Sequence, residues 1–165
     1  MRTALTLLLF TAFLSSATYA QTPRVERIEI TEFGIYEKKD TKTTDSPGTA
    51  LGILHETEIK LIQQTTTIPA RPGITFGYRY KVIGRPANGK VTLKDVNIVP
   101  PPGLHNPATG NTFYRKEVQT VRSIGKIAHS DYTLGSDNLL PGTWTFQLWV
   151  GDRKLAEQIF TLVKP

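Results

Sequence analysis

Apolar residues recur at every second position in several stretches of this chain, most clearly between Thr143 and Val150. There, Trp144, Phe146 and Leu148 alternate with neighbours of the opposite face. Successive side chains of a β-strand point to opposite faces, so this spacing predicts a strand with one buried face. Gly151-Asp152 follows and predicts a tight turn, because glycine adopts a positive φ without a steric penalty.

The segment after this turn fits both a helix and a strand. Leu155, Ile159 and Leu162 match helical spacing. A period-two row also runs through the segment, at Ala156, Gln158, Phe160 and Leu162. A helix would prefer a capping residue at its start, whereas a tight turn brings the chain back onto the preceding strand. We therefore predict a strand that pairs with the preceding one.

Alternation predicts strands elsewhere in the chain. In Ile74–Val82 the aromatic residues share one face and the cations the other. Further strands are predicted to begin at Glu26 and to cover Leu51–Ile62 with a continuation toward Thr67, Val91–Ile98, Phe113–Val121 and Gly125–Leu134. The apolar residues change phase between Leu93 and Val96, which predicts a bulge or bend near Asp95.

Seven or eight strands, without a long helix, predict an all-β fold, an antiparallel β-sandwich. The strand number and length suit an immunoglobulin-like topology, although the Cys and Trp spacing of antibody domains is absent. Two connections are predicted to be loops: the charged segment Lys38–Thr49, and Pro100–Asn111, whose prolines favour an extended conformation. Because no internal repeat or linker is visible, we expect residues 21–165 to form a single domain.

The first twenty residues have the layout of a cleaved secretory signal peptide. Arg2 precedes an apolar run from Ala4 to Leu14, and small residues follow. This run is shorter than the roughly 20 residues that cross a membrane. Cleavage after Ala17 or Ala20 fits the pattern, and we favour a mature protein that starts at Gln21. We therefore expect a periplasmic or secreted protein with no transmembrane segment after cleavage.

The chain contains no cysteine, which excludes disulfides, thiolate chemistry and a lipid-modified cysteine. Its net charge of +6 is spread along the sequence without a long run of like charges. This diffuse pattern is typical of a solvated surface and argues against nucleic acid as a partner. An unknown protein or envelope component is the partner that we expect.

His129 and Asp131 are expected on the same face of a predicted strand. There they would form a base and its orienting acid, or two metal ligands. A zinc site needs three or four ligands, and nothing nearby in the sequence supplies the rest. A surface or turn-stabilising role accounts for this polar pair better than a catalytic or metal-binding role does. The sequence therefore predicts no catalytic, cofactor or metal site, and His129 with Asp131 is the alternative.

Trp149 is expected on the face opposite Trp144. If Trp144 is in the core, Trp149 is partly exposed or covered by another segment. Together with Gln147 and Thr145, it forms a candidate interaction surface. The structural alternative is a loop or the N-terminal strand packed over the indole ring.

Two segments, "IEITEFGIYE" and "LPGTWTFQLWVGDRKLAEQIF", resemble a bacterial family of small exported domains of unknown function. The resemblance rests on Gly34, Tyr36, Gly142, Trp144, Gly151, Leu155 and Phe160. It implies an immunoglobulin-like sandwich and no known activity, so it carries over no catalytic positions.

The sequence favours an exported, noncatalytic binding or interaction module whose ligand it does not identify. A small metal-dependent or hydrolytic periplasmic enzyme that uses His129 and Asp131 is the first alternative. An envelope assembly or chaperone component that acts through a sheet edge is the second.

Overall fold

The computed structural model describes the backbone of residues 21–45, 53–106 and 109–165, and the side chains of these ranges apart from residues 40–57. The predicted signal peptide, residues 1–20, lies outside the described residues. In the part of the chain that is described, all regular structure is β, and the strands form two sheets and one small hairpin. The all-β sandwich that the alternation predicts is confirmed.

The strands of each sheet have a spatial order that differs from their order in the sequence. From one edge to the other, sheet A contains β2 (Ile53–Gln63), β1 (Arg24–Asp45), β4 (Thr75–Arg85) and β9 (Ile127–Thr133). Sheet B contains β3 (Thr67–Pro69), β11 (Arg153–Val163), β10 (Gly142–Val150), β5 (Lys90–Ile98) and β8 (Arg115–Ser123). The hairpin contains β6 (Leu104–His105) and β7 (Thr112–Phe113). Neighbouring strands are antiparallel except for β3 and β11, which are parallel.

Aromatic side chains of the facing strands β4 and β10 fill the space between the sheets. The ring of Phe76 on β4 lies edge-on to Trp144 on β10, with centroids 5.7 Å apart, and its centroid is 5.4 Å from that of Phe146. Tyr78, the next inward residue of β4, is fully buried. Such tilted ring pairs add to the free energy gained by burying apolar area. The core therefore forms between the two alternating rows that are visible in the sequence.

β10 and β11 form a hairpin, which confirms the strand prediction for the last segment. Trp144 pairs with Phe160, and Gly142 pairs with Leu162. Gly151 starts the connecting turn at φ +56°, in the left-handed region that glycine adopts without strain. Because Phe160 and Leu162 are both buried, the period-two row of this segment is the one that packs on the core.

β5 does not bulge at Asp95, contrary to the prediction from its phase change. Its pairing with β10 and with β8 is continuous through this residue. Asp95 and Asn97 keep the inward phase of Leu93, since they pair with core residues of β10. Val96 faces outward, where it pairs with Gln147 and is fully buried. The phase change therefore marks polar side chains that lie between the sheets.

The two predicted loops contain more strand than the sequence indicated. β1 continues to Asp45 and pairs with β2, so the strand includes the first eight residues of the predicted loop, Lys38–Asp45. The threonines of this stretch favour extended backbone, and β2 supplies the hydrogen-bonding partner that a local sequence pattern does not reveal. The proline-rich connection contains β6, whose Leu104 pairs with Phe113 of β7.

Candidate functional site

A cleft opens between β8 and β9, which follow each other in sequence but lie at the edges of different sheets. Within the described residues, no strand pairs with the outer edge of either one. Three adjoining hollows, each lined by residues of both strands, follow this gap from Lys126 at the connecting turn to Phe113. We call this gap the edge cleft.

β8 is a long and regular edge. It pairs with β5 over nine consecutive residues without a register shift. Its side chains are largely exposed, including Val118 and Val121, which are 43% and 61% exposed. Native edge strands are usually shortened, bulged or covered, because their unpaired N–H and C=O groups recruit other strands. In the part of the chain that the structure describes, β8 is neither shortened, bulged nor paired on its outer side, and its cations Arg115, Lys116 and Arg122 are its protection against a like edge.

The end of the edge cleft next to the hairpin is apolar. A cavity of about 470 Å³ there is lined by Val99, Leu104, Phe113, Tyr132 and Trp144, with Asn97, Arg115, Lys116 and Glu117 also contributing. Leu104 and Phe113 come from β6 and β7, so the proline-rich connection forms one wall. The Trp144 indole N–H donates to the Leu140 carbonyl at 2.9 Å, which fixes the ring. This cavity offers a preformed site for an apolar group.

The middle of the edge cleft is polar and lies partly between the sheets. A hollow of about 200 Å³ is lined by Asp95 and Asn97 from β5, Thr120 from β8 and Ser130 from β9. Burial raises the pKa of the Asp95 carboxyl, because desolvation disfavours its charged form. Burial also raises the pKa of the Tyr78 hydroxyl, and the nearby Asp95 charge acts in the same direction. A hydrogen bond with Ser130 acts against both shifts and lowers the pKa of each group.

The predicted polar pair, His129 and Asp131, lies on the outer face of sheet A at the rim of the edge cleft. His129 Nε2 is 3.3 Å from Asp131 Oδ1. Lys38 forms an ion pair with the second carboxylate oxygen of Asp131. Burial lowers the pKa of His129, and the charge of Lys38 adds to this effect, against the opposing influence of Asp131.

The neighbouring side chains of this pair are engaged with other partners or point away from it. Arg79 is the cross-strand neighbour of His129. Its Nη1 atom is 3.1 Å from Glu32 Oε1, and its Nη2 atom donates a hydrogen bond to the backbone carbonyl of Ile59. Ser130 lies between the two residues in sequence and therefore points to the opposite face of β9. Among the described residues, no group of three or more His, Cys, Asp or Glu side chains is arranged to hold a metal ion.

Trp149, Gln147 and Thr145 share the outer face of β10, as the alternation predicts. The Trp149 indole N–H donates to Gln147 Oε1 at 3.0 Å, and Lys94 Nζ lies 5.4 Å from the ring centroid. Gln147 Nε2 donates to Glu157 Oε2 at 2.8 Å. These contacts give the indole polar and cationic neighbours within sheet B, so it needs no partner to satisfy its N–H.

Apart from His129 and Asp131 at its rim, the residues of the edge cleft were not identified from the sequence. A signal was present, because Asp95 and Asn97 occupy inward positions of β5 where Leu93 predicts apolar residues. That signal was interpreted as a bulge. The approach of Ser130 to these side chains depends on which strands lie at the sheet edges, and no local pattern encodes this.

Comparisons with known proteins agree on the fold. The family model described as "Domain of unknown function (DUF3859)" matches residues 24–162. A solved immunoglobulin-like protein from Pseudomonas aeruginosa is similar, with 25% sequence identity and a TM-score of 0.59, over 89% of this chain and 100% of that one. A search of curated proteins found no match. No helix among the described residues has the length and apolar character to cross a membrane. These findings are compatible with a noncatalytic module.

Proposed function

We propose that this chain, which belongs to the family described as a domain of unknown function (DUF3859), is an exported, noncatalytic module that binds an extended polypeptide segment along β8. The observation that carries the proposal is the nine-residue edge of β8, which has no strand partner on its outer side among the described residues and borders the edge cleft. Of the three functions that the sequence leaves open, it combines a binding module with the use of a sheet edge.

Strand addition supplies affinity through the main chain and specificity through alternate side chains. A segment that pairs with β8 would extend sheet B toward β9. Every second side chain of that segment would then point into the edge cleft. The apolar cavity beside Phe113 would take one such side chain, because its walls are already formed.

The charge of the edge favours an acidic segment from a different polypeptide. Arg115, Lys116 and Arg122 are cations of β8, and Lys126 follows in the turn. Glu117 is the acidic residue of this strand, and its carboxylate is 2.6 Å from Arg115. A second copy of β8 would place its cations beside those of the first, and these like charges would repel each other. Acidic residues would instead be attracted to the edge.

Export is proposed from the sequence of the first twenty residues, which has the layout of a signal peptide. A mature protein that starts at Gln21 would meet its partner in the periplasm or outside the cell. N-terminal sequencing of the protein from its own host tests this step. An intact N-terminus at Met1 would contradict it.

The outer face around Trp149 is a weaker candidate, because its polar groups already bind each other. The enzymatic alternative depends on His129 and Asp131, whose contact of 3.3 Å is the observation in its favour. Metal analysis and hydrolase screening of the wild type and of His129→Ala test this alternative. An activity that His129→Ala abolishes would contradict the noncatalytic proposal.

Selection of random linear peptides on the mature protein tests the binding proposal. Adjacent residues of an edge strand alternate between an N–H directed at the neighbouring strand and one directed outward. One of the two variants Val118→Pro and Gln119→Pro therefore removes only an outward N–H, which an edge strand tolerates. We expect that variant to keep the wild-type circular dichroism spectrum and to lose binding of the selected peptides.

Trp149→Ala is the matched control, since Trp149 lies on the outer face of β10, which β5 separates from β8. We expect it to bind the selected peptides as the wild type does. Equal binding by the folded proline variant, or loss of binding in Trp149→Ala alone, would contradict the proposal. Failure to select any peptide would also count against it.

A further inference from the structure

We infer that the polar hollow in the middle of the edge cleft binds a primary carboxamide, the group at the end of an asparagine or glutamine side chain. This inference rests on the proposed function, because the carboxamide would belong to a side chain of the segment that binds to β8. The hollow is formed by side chains of this protein and does not depend on the bound segment.

Three polar atoms of the residues that line this hollow are buried and have no hydrogen-bond partner in the described residues. They are Asp95 Oδ1, Asn97 Oδ1 and Thr120 Oγ1. A buried polar atom without a partner destabilises the folded state, and folded proteins contain few of them. Several such atoms around one hollow therefore give it the hydrogen-bonding groups to bind a polar ligand.

The chemistry of these atoms selects the ligand. Asp95 Oδ1 and Asn97 Oδ1 accept hydrogen bonds, while the Thr120 hydroxyl both donates and accepts. A matching group must donate at least two hydrogen bonds and accept at least one. The amino half of a carboxamide donates two, and its carbonyl oxygen accepts from a hydroxyl.

The charges around the hollow favour a neutral group. Lys116 lines the hollow, and the charges of Arg122 and Lys116 both act on Asp95. These cations oppose an ammonium or guanidinium group. The carboxylates of Asp95 and Asp131, which also lines the hollow, oppose an anion. A carboxamide provides the required donors without a net charge.

The position of the hollow fixes the spacing within the bound segment. Asn97 and Lys116 line both this hollow and the apolar cavity, so the two sites are adjacent. Side chains two residues apart on a strand point the same way and are separated by roughly 7 Å. The bound segment should therefore carry a large apolar residue and, two positions away, an asparagine or glutamine.

A fragment titration tests the hollow without a peptide. Propionamide, propionate and propylammonium are similar in size and differ in charge and hydrogen bonding. We expect propionamide alone to cause saturable shifts in the NMR resonances of Asp95, Asn97 and Thr120. Thr120→Val should weaken its binding about fivefold, the effect of one lost hydrogen bond. Thr92→Val, the same change at an exposed position of β5, should have no effect.

A peptide pair then tests the source. A selected peptide and its analogue with glutamine changed to glutamate are compared on the wild type and on Thr120→Val. We expect the glutamine peptide to bind more tightly to the wild type and to lose this advantage on Thr120→Val. Tighter binding of propionate or propylammonium, or a hollow that holds water only and responds to none of the fragments, would overturn the inference. Peptide binding that the β8 proline variant abolishes would still support the proposed function.

Discussion

At the scale of single residues, Gly77 shows how closely β4 and β9 approach. A Cβ atom at this position would lie 2.2 Å from the backbone oxygen of Ser130. Real Cβ atoms do not come this close to a backbone oxygen, so any larger residue must push the two strands apart. Gly77 lies next to Tyr78 and opposite Asp131, and it therefore fixes the distance between β9 and the polar residues of the edge cleft.

Gly77→Ala should lower the free energy of unfolding by about 2 kcal/mol, the usual effect of overpacking. The reason is the backbone contact with Ser130, which no side-chain rearrangement can relieve. Urea unfolding measures the change. Gly135→Ala is the control, because a Cβ at Gly135 meets its nearest neighbour at an ordinary 3.5 Å. An equal loss of stability in both variants would contradict this account.

Asp95 makes the stability depend on pH. Burial raises the pKa of Asp95 in the folded state above its ordinary value of 3.8. As the pH rises above 3.8, the carboxyl ionises more readily in the unfolded chain than in the folded one, so the free energy of unfolding falls until the pH passes the folded pKa. Asp95→Asn removes that charge. We expect the variant to be more stable than the wild type at pH 7, and the difference to disappear below about pH 4.

Thermal unfolding from acidic to neutral pH measures this difference. Asp152→Asn, in the exposed turn after β10, serves as the control and should follow the wild type at every pH. A variant Asp95→Asn that loses stability at pH 7 would show that the carboxylate is stabilised by its surroundings, against our expectation.

At the scale of elements, alternation predicted strands well where one face is apolar throughout. β10 and β11 were predicted correctly, because the turn at Gly151 removed the helical alternative. β5 was misread at Asp95, since a phase change has the same sequence pattern whether the strand bulges or its inner face becomes polar. β1 was predicted too short, because its final pairing depends on β2 and not on its own residues.

The hairpin of β6 and β7 is the element that should separate binding from stability. Phe113 lines the apolar cavity but is 47% exposed, so Phe113→Ala should change the stability little. It should weaken binding of the selected peptides roughly tenfold, as loss of an aromatic contact at an interface does. Calorimetry measures both quantities.

Tyr114→Ala is the matched control for this prediction. Tyr114 is 53% exposed and does not line the cavity. We expect it to bind as the wild type does. Equal weakening in both variants would show that the peptides contact the outer surface of the connection and not the cavity.

At the scale of the whole molecule, the fold follows from the sequence and the edge cleft follows from the topology. The apolar rows of β4 and β10 predict two sheets that pack on each other, and the structure confirms them. The cleft joins Asp95 of β5 with Ser130 of β9, two strands of different sheets. These two strands approach each other because of the spatial order of the strands. Neither the period of the apolar residues nor the composition of the chain specifies that order. This is why His129 and Trp149 were visible as candidates while Thr120 was not.

The central claim is that β8 is the edge to which an extended segment binds. Residue-resolved hydrogen exchange of the mature protein, with and without a selected peptide, tests it most directly, because only a paired edge protects its outward amides. We predict that the peptide slows exchange at alternate amides along Arg115–Ser123, with little change around Trp149. Protection on the outer face of β10, or binding that leaves the amides of β8 unchanged, would contradict the account.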